Sequence, residues 1–477
     1  MTVVGAPTPP RTAPACGPLR GLARHDVAVF KGIPFATADR FGPPIPVEPW
    51  TEERRATSYS PQCPQIAGML DRALGGSSLP MAEDCLALNV VTPACDDAQR
   101  PVLVWIHGGA FVTGTGSMPW YEGSSLASRG DVVVVNVNYR LGAFGFTGTG
   151  NHGVLDQLAA LEWVQRNIAA FGGDPTNVTV FGESAGGASV VTLLATGAAG
   201  QTFHRAWAMS PSITQLRDGS RAAEAAAALT KAAGVDDLDG LRGLTSERLL
   251  DAQREVLTDR VGAMTAFSPA VDGALLRGPV PETAAVSPVP LVVGTTSDEM
   301  QLFTAFDRKV GDLGDERLRR QFARQFGDRA SDALDAYRRA RPGATNGQLA
   351  TALQTDETFR VPARLLADAR ADRGGATWAY LFTWPSPAFG GALGACHGLH
   401  IPFVFHNLDR PGVPAFTGDG PGRDAVADAF SGALLRFARH GDPGWTRYDT
   451  ADRVTMTIDE VSREVGDPEG EIRELWR

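Results

Sequence analysis

The chain has 477 residues, of which 43% are hydrophobic and 21% are charged, and its formal net charge is −10 at pH 7. This length and composition fit one large α/β domain or two to three ordinary domains, with ample apolar material for a core. The acidic balance argues against a nucleic-acid partner, because phosphates would be repelled. No apolar run is long enough to span a bilayer.

The N-terminal segment is rich in proline and lacks the basic-then-apolar pattern of a secretory signal. We expect residues 1–20 to form a loose arm. The chain has five cysteines, which are spread along the sequence and do not form a metal-binding cluster. Without a signal the default compartment is the reducing cytoplasm.

The first half of the chain alternates strand and helix patterns. Residues 102–106 and 132–139 are short apolar runs, typical of strands buried on both faces of a sheet. Apolar residues then recur at helical spacing from 155 to 168, and residues 177–181 form a third strand pattern. Strand, helix, strand predicts a right-handed crossover in a mostly parallel sheet.

Capping residues set the expected limits of that helix. Asn151 is placed to cap its start, and Gly172, Gly173 and Pro175 are placed to end it.

Two later segments, residues 215–255 and 316–374, are rich in Ala, Leu, Arg and Asp and indicate helices. Residues 290–300 between them indicate a strand that ends in a polar loop, and residues 378–384 indicate another strand. We interpret the helical segments as excursions from a single domain over residues 1–477. They would build a cap and pocket beside the sheet.

The pattern Gly-x-Ser-x-Gly occurs at residues 182–186, where a predicted strand ends and a small-residue helix begins. That setting is the one a nucleophile elbow requires. The tight turn strains the serine, and side chains two residues either side would collide, so both positions favour glycine. The pattern predicts that Ser184 is a nucleophile. The alternative is a glycine-rich turn with no chemical role.

A second glycine loop follows the strand at residues 102–106. It carries His107, Gly108 and Gly109, and such a segment can aim unobstructed N–H groups at a substrate carbonyl. We predict an oxyanion hole formed by the N–H groups of Gly108, Gly109 and Ala185. The alternative is a plain turn at a strand end.

A serine of this kind needs an acid and a histidine, which follow it in that order along the chain. The polar loop after the strand at 290–300 offers Asp298 or Glu299. Further on, His397, His400 and His406 lie close together, and spacing alone does not choose among them.

The same three histidines raise the alternative of a metal site. His-x-x-His spacing suits one helix face, but the strand-like residues 401–405 intervene and no carboxylate is close in sequence. We therefore expect no metal and no organic cofactor.

Several longer segments carry a family resemblance that runs through almost the whole chain. They include EDCLALNVVTP, PVLVWIHGGAF and the block NHGVLDQLAALEWVQRNIAAFGGDPTNVTVFGESAGG. In these the chain resembles the type-B carboxylesterases, which include bacterial para-nitrobenzyl esterases and animal cholinesterases. The resemblance implies an α/β-hydrolase fold with helical cap insertions. It also implies hydrolysis of small to medium carboxylic esters through an acyl-enzyme intermediate.

The resemblance also assigns the open positions. The family's acid falls on Glu299, its histidine on His397, and a serine behind the triad on Ser210. Three residues depart from the family pattern. Met300 and Pro211 stand where glycine is usual, and His400 stands where a glutamate usually belongs to a buried polar network.

The resemblance also bears on two cysteines and on the substrate. Cys63 and Cys85 match a disulfide pair of the family, but a reducing compartment would keep them as thiols. The segment between them contains no aromatic residue, so a choline site there is not expected. Phe111 and Phe267 are predicted to line the pocket, with plain core packing as the alternative.

Two other functions share these features. One is a non-catalytic, adhesion-like family member, and the other is acyl transfer on amides or carbamates in the same site. The sequence leaves the oligomeric state open between a monomer and a small homo-oligomer.

Overall fold

The computed structural model describes residues 8–24, 26–66, 79–258 and 265–477, and its centre is a large β-sheet. The strands, in chain order, are β1 (Arg11–Thr12), β2 (Leu19–Arg20), β3 (Leu22–Arg24), β4 (Val27–Pro34), β5 (Ala36–Thr37), β6 (Ile45–Pro46), β7 (Arg54–Arg55), β8 (Ala87–Thr92), β9 (Arg100–Ile106), β10 (Val133–Val137), β11 (Gly173–Glu183), β12 (Arg205–Met209), β13 (Leu291–Thr296), β14 (Thr377–Phe382), β15 (Val454–Ile458) and β16 (Arg463–Gly466).

Among the described residues, eleven strands form the central sheet, in the order β16-β15-β14-β13-β12-β11-β9-β10-β8-β4-β3. From β15 to β10 every neighbouring pair is parallel. The pairs at both edges are antiparallel. The sheet is therefore mostly parallel, and it contains the strands that the apolar runs predicted.

The helices fill the segments between the strands. They are α1 (Ser124–Gly130), α2 (Gly142–Phe146), α3 (His152–Asn167), α4 (Ala185–Leu194), α5 (Gly219–Ala233), α6 (Leu238–Arg242), α7 (Ser246–Thr258), α8 (Val280–Ala285), α9 (Gln301–Thr304), α10 (Arg308–Gly311), α11 (Asp315–Phe326), α12 (Ala330–Ala340), α13 (Asn346–Thr355), α14 (Val361–Ala371), α15 (Ile401–Val404), α16 (Val413–Thr417), α17 (Arg423–His440) and α18 (Gly470–Leu475). A π-helical turn over Asp356–Arg360 joins α13 to α14. Within the described ranges, no helix is both long and apolar enough to cross a membrane.

Apolar cores cover both faces of the sheet, as alternation along β9 shows. Val102, Val104 and Ile106 belong to one buried cluster. Leu103 and Trp105 belong to another. Because successive side chains of a strand point to opposite faces, the two clusters lie on opposite sides of the sheet. This double burial explains why the strand sequences are continuously apolar.

Residues 8–20 correct the prediction of a loose arm, while residues 1–7 lie outside the described ranges. Strand β1 pairs with β2, and β2 pairs with β7. The side chains of Cys16 and Leu19 are buried, and Cys16 N donates to Asn167 Oδ1 at 2.9 Å. The prediction of a loose arm rested on the proline-rich composition. It was wrong for residues 8–20 because the side chains of Cys16 and Leu19 pack into the core.

Asn151 also departs from its predicted role. It precedes α3, but its backbone is left-handed and its side chain makes no capping bond. The amide instead bridges to the chain near residue 270, donating to Ala270 O at 2.8 Å and accepting from Ala270 N at 2.8 Å. A tertiary contact has replaced the local cap.

Candidate active site

Neighbouring parallel strands deliver the predicted site residues to one edge of the sheet, where their carboxyl ends meet. Gly108 follows β9, Ser184 follows β11, Ser210 follows β12, Glu299 follows β13, and the loop after β14 leads to His397. Strand order alone therefore gathers residues that are far apart in the chain.

Ser184 occupies a sharp turn between β11 and α4, with φ 58° and ψ −119°. A Cβ on Gly182 would lie 2.6 Å from the backbone of Gly186. A Cβ on Gly186 would lie 2.0 Å from Ile106 O. Any side chain at either position would clash with backbone, so both glycines are required by close approach. The turn has the form of a nucleophile elbow.

The glycine loop after β9 lies directly against this turn. A Cβ on Gly108 would lie 3.2 Å from Ser184 Cβ, and Gly109 has φ 112°, which favours glycine. The N–H groups of Gly108, Gly109 and Ala185 have no acceptor among the described residues. These three donors are therefore available to a ligand beside Ser184.

His107 supports the loop. Its Nδ1 lies 2.8 Å from Gly108 O, and because a carbonyl oxygen only accepts, Nδ1 carries the proton. Burial lowers the pKa of His107 to about 4, so the ring is neutral. The ring also stacks on Tyr139, whose hydroxyl donates to His107 O at 2.8 Å. These contacts fix the orientation of the Gly108 peptide.

Glu299 and His397 form a buried pair. His397 Nδ1 lies 2.6 Å from Glu299 Oε2, while Glu299 Oε1 accepts from Ser210 Oγ at 2.5 Å and from Thr296 N at 2.8 Å. Burial would raise the pKa of Glu299, but His397 and these hydrogen bonds outweigh it and hold the pKa below its ordinary value. Glu299 is therefore a carboxylate at neutral pH.

Asp298, the other predicted acid, has a different role. Its Oδ2 accepts from Ser297 Oγ at 2.7 Å and from Ala395 N at 3.0 Å. Asp298 thus ties the loop that leads to His397, and Glu299 makes the contact with the imidazole.

Glu183 is a site residue that sequence reasoning missed. Its Oε1 lies 3.2 Å from His397 Nε2, so the imidazole sits between two carboxylates. Burial raises the pKa of Glu183 to about 7, with His397 opposing the rise and Glu299 adding to it. The available signal was its place beside Ser184 within the Gly-x-Ser-x-Gly pattern.

The charge state of His397 reflects these neighbours. Burial alone would lower its pKa, but the charges of Glu183 and Glu299 outweigh burial and raise it to about 9. Within the described part of the chain, Ser184 Oγ makes no hydrogen bond with His397, whose Nε2 faces Glu183. Catalytic hydrogen bonds are often long in the free enzyme and tighten when substrate binds.

His400 lies next to Ser210, behind the pair formed by Glu299 and His397. Its Nε2 is 3.5 Å from Ser210 Oγ, and burial lowers the pKa of His400 to about 3, so the ring is neutral. Met300 is another of the three departures from the family pattern, and its N–H donates to Thr355 Oγ1 at 3.1 Å. Position 400 therefore contributes a neutral ring beside Ser210, and its Nδ1 has no hydrogen-bond partner among the described residues.

Aromatic rings contact His397 from residues that the sequence did not single out. The ring centroids of Phe359 and Phe303 lie 4.6 Å and 5.7 Å from that of His397. The predicted pocket residues Phe111 and Phe267 are fully buried members of an apolar core cluster, and their lining of the pocket stays a prediction. Phe303 is 39% exposed, so it is open to a ligand.

The third histidine of the cluster has its own partner. His406 Nε2 lies 2.9 Å from Asp428 Oδ1. Residues 401–405, predicted as strand-like, contain the helical turn α15, which has proline in its first turn, a favoured place for that residue.

Cys63 and Cys85 are both buried free thiols. Most of the segment between them, on which the choline prediction rests, falls at residues 67–78, outside the described ranges.

Comparison with known proteins decides the family. A model of the carboxylesterase family matches residues 9–468. The protein belongs to the carboxylesterase family. This carboxylesterase is 36% identical to the para-nitrobenzyl esterase of Bacillus subtilis over 96% of each chain. It is 35% identical to a phenmedipham hydrolase of Pseudarthrobacter oxydans, over 96% of this chain and 97% of the relative.

Solved structures agree with the sequence comparison. A Geobacillus stearothermophilus carboxylesterase superimposes with a TM-score of 0.87 at 38% identity, covering 98% of this chain and 100% of the other. A para-nitrobenzyl esterase structure gives a TM-score of 0.86 at 36% identity, with the same coverage. The fold is therefore the α/β-hydrolase fold, and this carboxylesterase is a serine carboxylic ester hydrolase.

Proposed function

We propose that Ser184 is the nucleophile of this carboxylesterase, that His397 is its general base, and that Glu299 orients the base. The observation that carries this assignment is the buried contact of 2.6 Å between His397 Nδ1 and Glu299 Oε2. It places the proton of a neutral imidazole on Nδ1 and leaves Nε2 to accept a proton on the side of the Ser184 turn.

The first half of the reaction forms an acyl-enzyme. Ser184 Oγ attacks the ester carbonyl carbon as its proton passes to His397 Nε2. The carbonyl oxygen becomes an oxyanion, which the N–H groups of Gly108, Gly109 and Ala185 stabilise. The carbon–oxygen bond to the alcohol then breaks, and the alcohol leaves with the proton from His397.

The second half releases the acid. Water gives a proton to His397 Nε2 and attacks the acyl carbon, and the tetrahedral intermediate collapses to return the proton to Ser184 Oγ. The imidazolium that forms in each half lies between Glu183 and Glu299. Both carboxylates therefore stabilise the charge that develops on the ring.

We propose esters of small to medium size as substrates. The rings of Phe303 and Phe359 beside His397 favour an apolar group next to the scissile bond. The relative from Bacillus subtilis is named for para-nitrobenzyl esters. A panel that varies acyl and alcohol size, read as kcat/KM, tests this, and matched amides and carbamates test the alternative acyl transfers.

Ser184→Ala tests the nucleophile directly. We expect at least a 1000-fold loss of ester hydrolysis, because the residual rate comes only from binding and the oxyanion hole. Ser189→Ala is the matched control, since Ser189 lies on the same helix but its Oγ is bonded to Gln157 at 3.0 Å. Retained activity in Ser184→Ala would refute the assignment, and slow turnover by both wild type and variant would favour the non-catalytic alternative.

A further inference from the structure

The π-helical turn over Asp356–Arg360 interrupts the helical chain between α13 and α14. The N–H of Val361 bonds to a carbonyl five residues back, where an α-helix would bond four residues back. Pro362 gives a cause, because it has no N–H for the carbonyl of Thr358 and its ring would clash with that carbonyl in a regular helix. Thr358 O instead accepts from Thr214 Oγ1 at 3.4 Å. Turns of this kind are frequent at functional sites.

Buried ion pairs fix the end of this turn. Arg360 is 6% exposed, and its Nη1 donates to Asp356 Oδ1 at 2.6 Å and to Glu469 Oε2 at 2.5 Å. The Tyr337 hydroxyl donates to the other oxygen of Asp356. Charge-assisted hydrogen bonds from a planar guanidinium hold a defined geometry, so Arg360 is held firmly against the groups that it contacts.

The turn contacts the acid loop of the active site on both sides of Glu299. Arg360 Nη2 donates to Ser297 O at 2.5 Å, two residues before the acid. Met300 N, one residue after the acid, donates to Thr355 Oγ1 at 3.1 Å. These two contacts from one helical segment restrict movement of the loop. A displacement of about 1 Å at a catalytic group can cost about 100-fold in rate, so this restriction bears on the chemistry.

Phe359 of the same turn lies against the imidazole of His397. The two ring centroids are 4.6 Å apart, and the ring planes are tilted by 35°. Phe359 is 4% exposed, so the contact is buried. His397 N in turn donates to Glu299 O at 3.1 Å. The turn therefore contacts the base through a ring and the acid through its loop.

An aromatic face close to the imidazole favours the charged form of the ring. A cation within about 6 Å of a ring centroid is attracted by the ring quadrupole, and the attraction is stronger when the pair is shielded from water. His397 becomes an imidazolium in both halves of the proposed reaction. It also faces the carboxylates of Glu183 and Glu299 and lies near the neutral ring of His400. Phe359 adds an uncharged stabilising contact that these groups do not supply.

We propose that the π-helical turn is a positioning element of the active site. Phe359 holds the ring of His397 and stabilises it when it is charged. Thr355 and Arg360 hold the loop that presents Glu299. Each acts through the base or the acid and is therefore a positioning residue, an inference that rests on the proposed catalytic roles of His397 and Glu299.

Phe359→Leu tests the contact with the base, because it removes the ring and keeps an apolar side chain. For a chromogenic ester at high pH we expect kcat to fall about tenfold and KM to stay within about twofold. The acid limb of kcat/KM should move down by about 0.5–1 pH unit, since the charged imidazole loses a stabilising contact. Phe171→Leu is the matched control, since Phe171 is fully buried before β11, at the far end of that strand from Ser184. The control should keep both kcat and the acid limb.

Thr355→Val and Thr355→Ser test the contact with the acid loop, and they keep the proposal testable if Phe359→Leu does not fold. Valine has the shape of threonine but leaves Met300 N without its acceptor, so kcat should fall roughly threefold to tenfold at constant KM. Serine keeps the hydroxyl and should restore most of the lost rate. Melting temperatures of all the variants separate a loss of rate from a loss of folded protein.

Three results would overturn the proposal. One is a wild-type kcat with an unmoved acid limb in Phe359→Leu. Another is a change confined to KM in that variant, which would make Phe359 a wall of the substrate pocket. The last is an equal loss of kcat in Thr355→Val and Thr355→Ser. Each of these differs from a failure of the catalytic assignment, which would appear as activity retained in Ser184→Ala.

Discussion

Glu183→Gln is the substitution that best tests the electrostatics of the site. It removes a negative charge 3.2 Å from His397 Nε2 while keeping the size of the side chain. Hydrolysis requires a neutral imidazole, so kcat/KM falls as pH falls through the pKa of His397. Because Glu183 is the largest influence that raises this pKa, the variant should hold the neutral base to lower pH.

The geometry sets the size of the shift. With an effective dielectric constant of about 20, unit charges 3.2 Å apart interact by about 5 kcal/mol, or roughly 4 pH units. That is an upper limit, because both charges are spread over two atoms and burial opposes the shift. The net rise for His397 is from 6.5 to about 9, and Glu299 supplies part of it. We therefore expect the acid limb of kcat/KM to move down by about 1–2 pH units.

The assay is kcat/KM for a chromogenic ester from about pH 5 to pH 10, read at a wavelength where product absorbance does not depend on pH. The plateau at high pH should fall, because Glu183 no longer stabilises the imidazolium in the transition state. Glu122→Gln is the control, since Glu122 is a buried carboxylate that pairs with Arg410. An acid limb that stays in place or moves upward in Glu183→Gln would refute the reasoning.

Three other substitutions test the surroundings of the site. Ser210→Ala removes the hydrogen bond to Glu299 Oε1. Because a hydrogen bond to a charged group is worth about 1.5–3 kcal/mol, this variant should lower kcat/KM roughly tenfold with little effect on KM. A changed KM at constant kcat would contradict this. Gly186→Ala places a Cβ 2.0 Å from backbone and should abolish soluble expression or activity, whereas a variant with wild-type melting and turnover would show that the elbow tolerates a side chain. Asp156→Asn breaks the fully buried ion pair with Arg140. The free energy of unfolding, measured by urea denaturation, should fall by about 3–5 kcal/mol. A loss below about 1 kcal/mol would mean that Arg140 finds another partner.

Local patterns predicted the strands and the elbow because their causes are local. A strand with both faces covered must be apolar at every position, and a turn with backbone 2.0 Å from a would-be Cβ must contain glycine. The family resemblance then chose Glu299 and His397 from alternatives that spacing had left open. In the structure His397 Nδ1 lies 2.6 Å from Glu299 Oε2, and the catalytic roles of the two residues stay a prediction.

The predictions that were wrong, and the site residue that was missed, have a different cause. In each case a contact between residues distant in sequence determines where the side chain lies. Asn151 has the right position for a cap, but its amide is taken by Ala270, distant in sequence. Cys16 belongs to a proline-rich segment, yet it is buried against the end of α3, where it meets Asn167. Glu183 stands in the most visible motif of the chain, but only the orientation of its side chain shows that it faces His397. No periodicity encodes such contacts.

The cap helices between β12 and β13, and between β13 and β14, are inserted between strands whose ends hold the reacting groups. Protein engineers can therefore recut or exchange residues 219–258 and 308–355 to admit bulkier esters while the sheet keeps the chemistry in place.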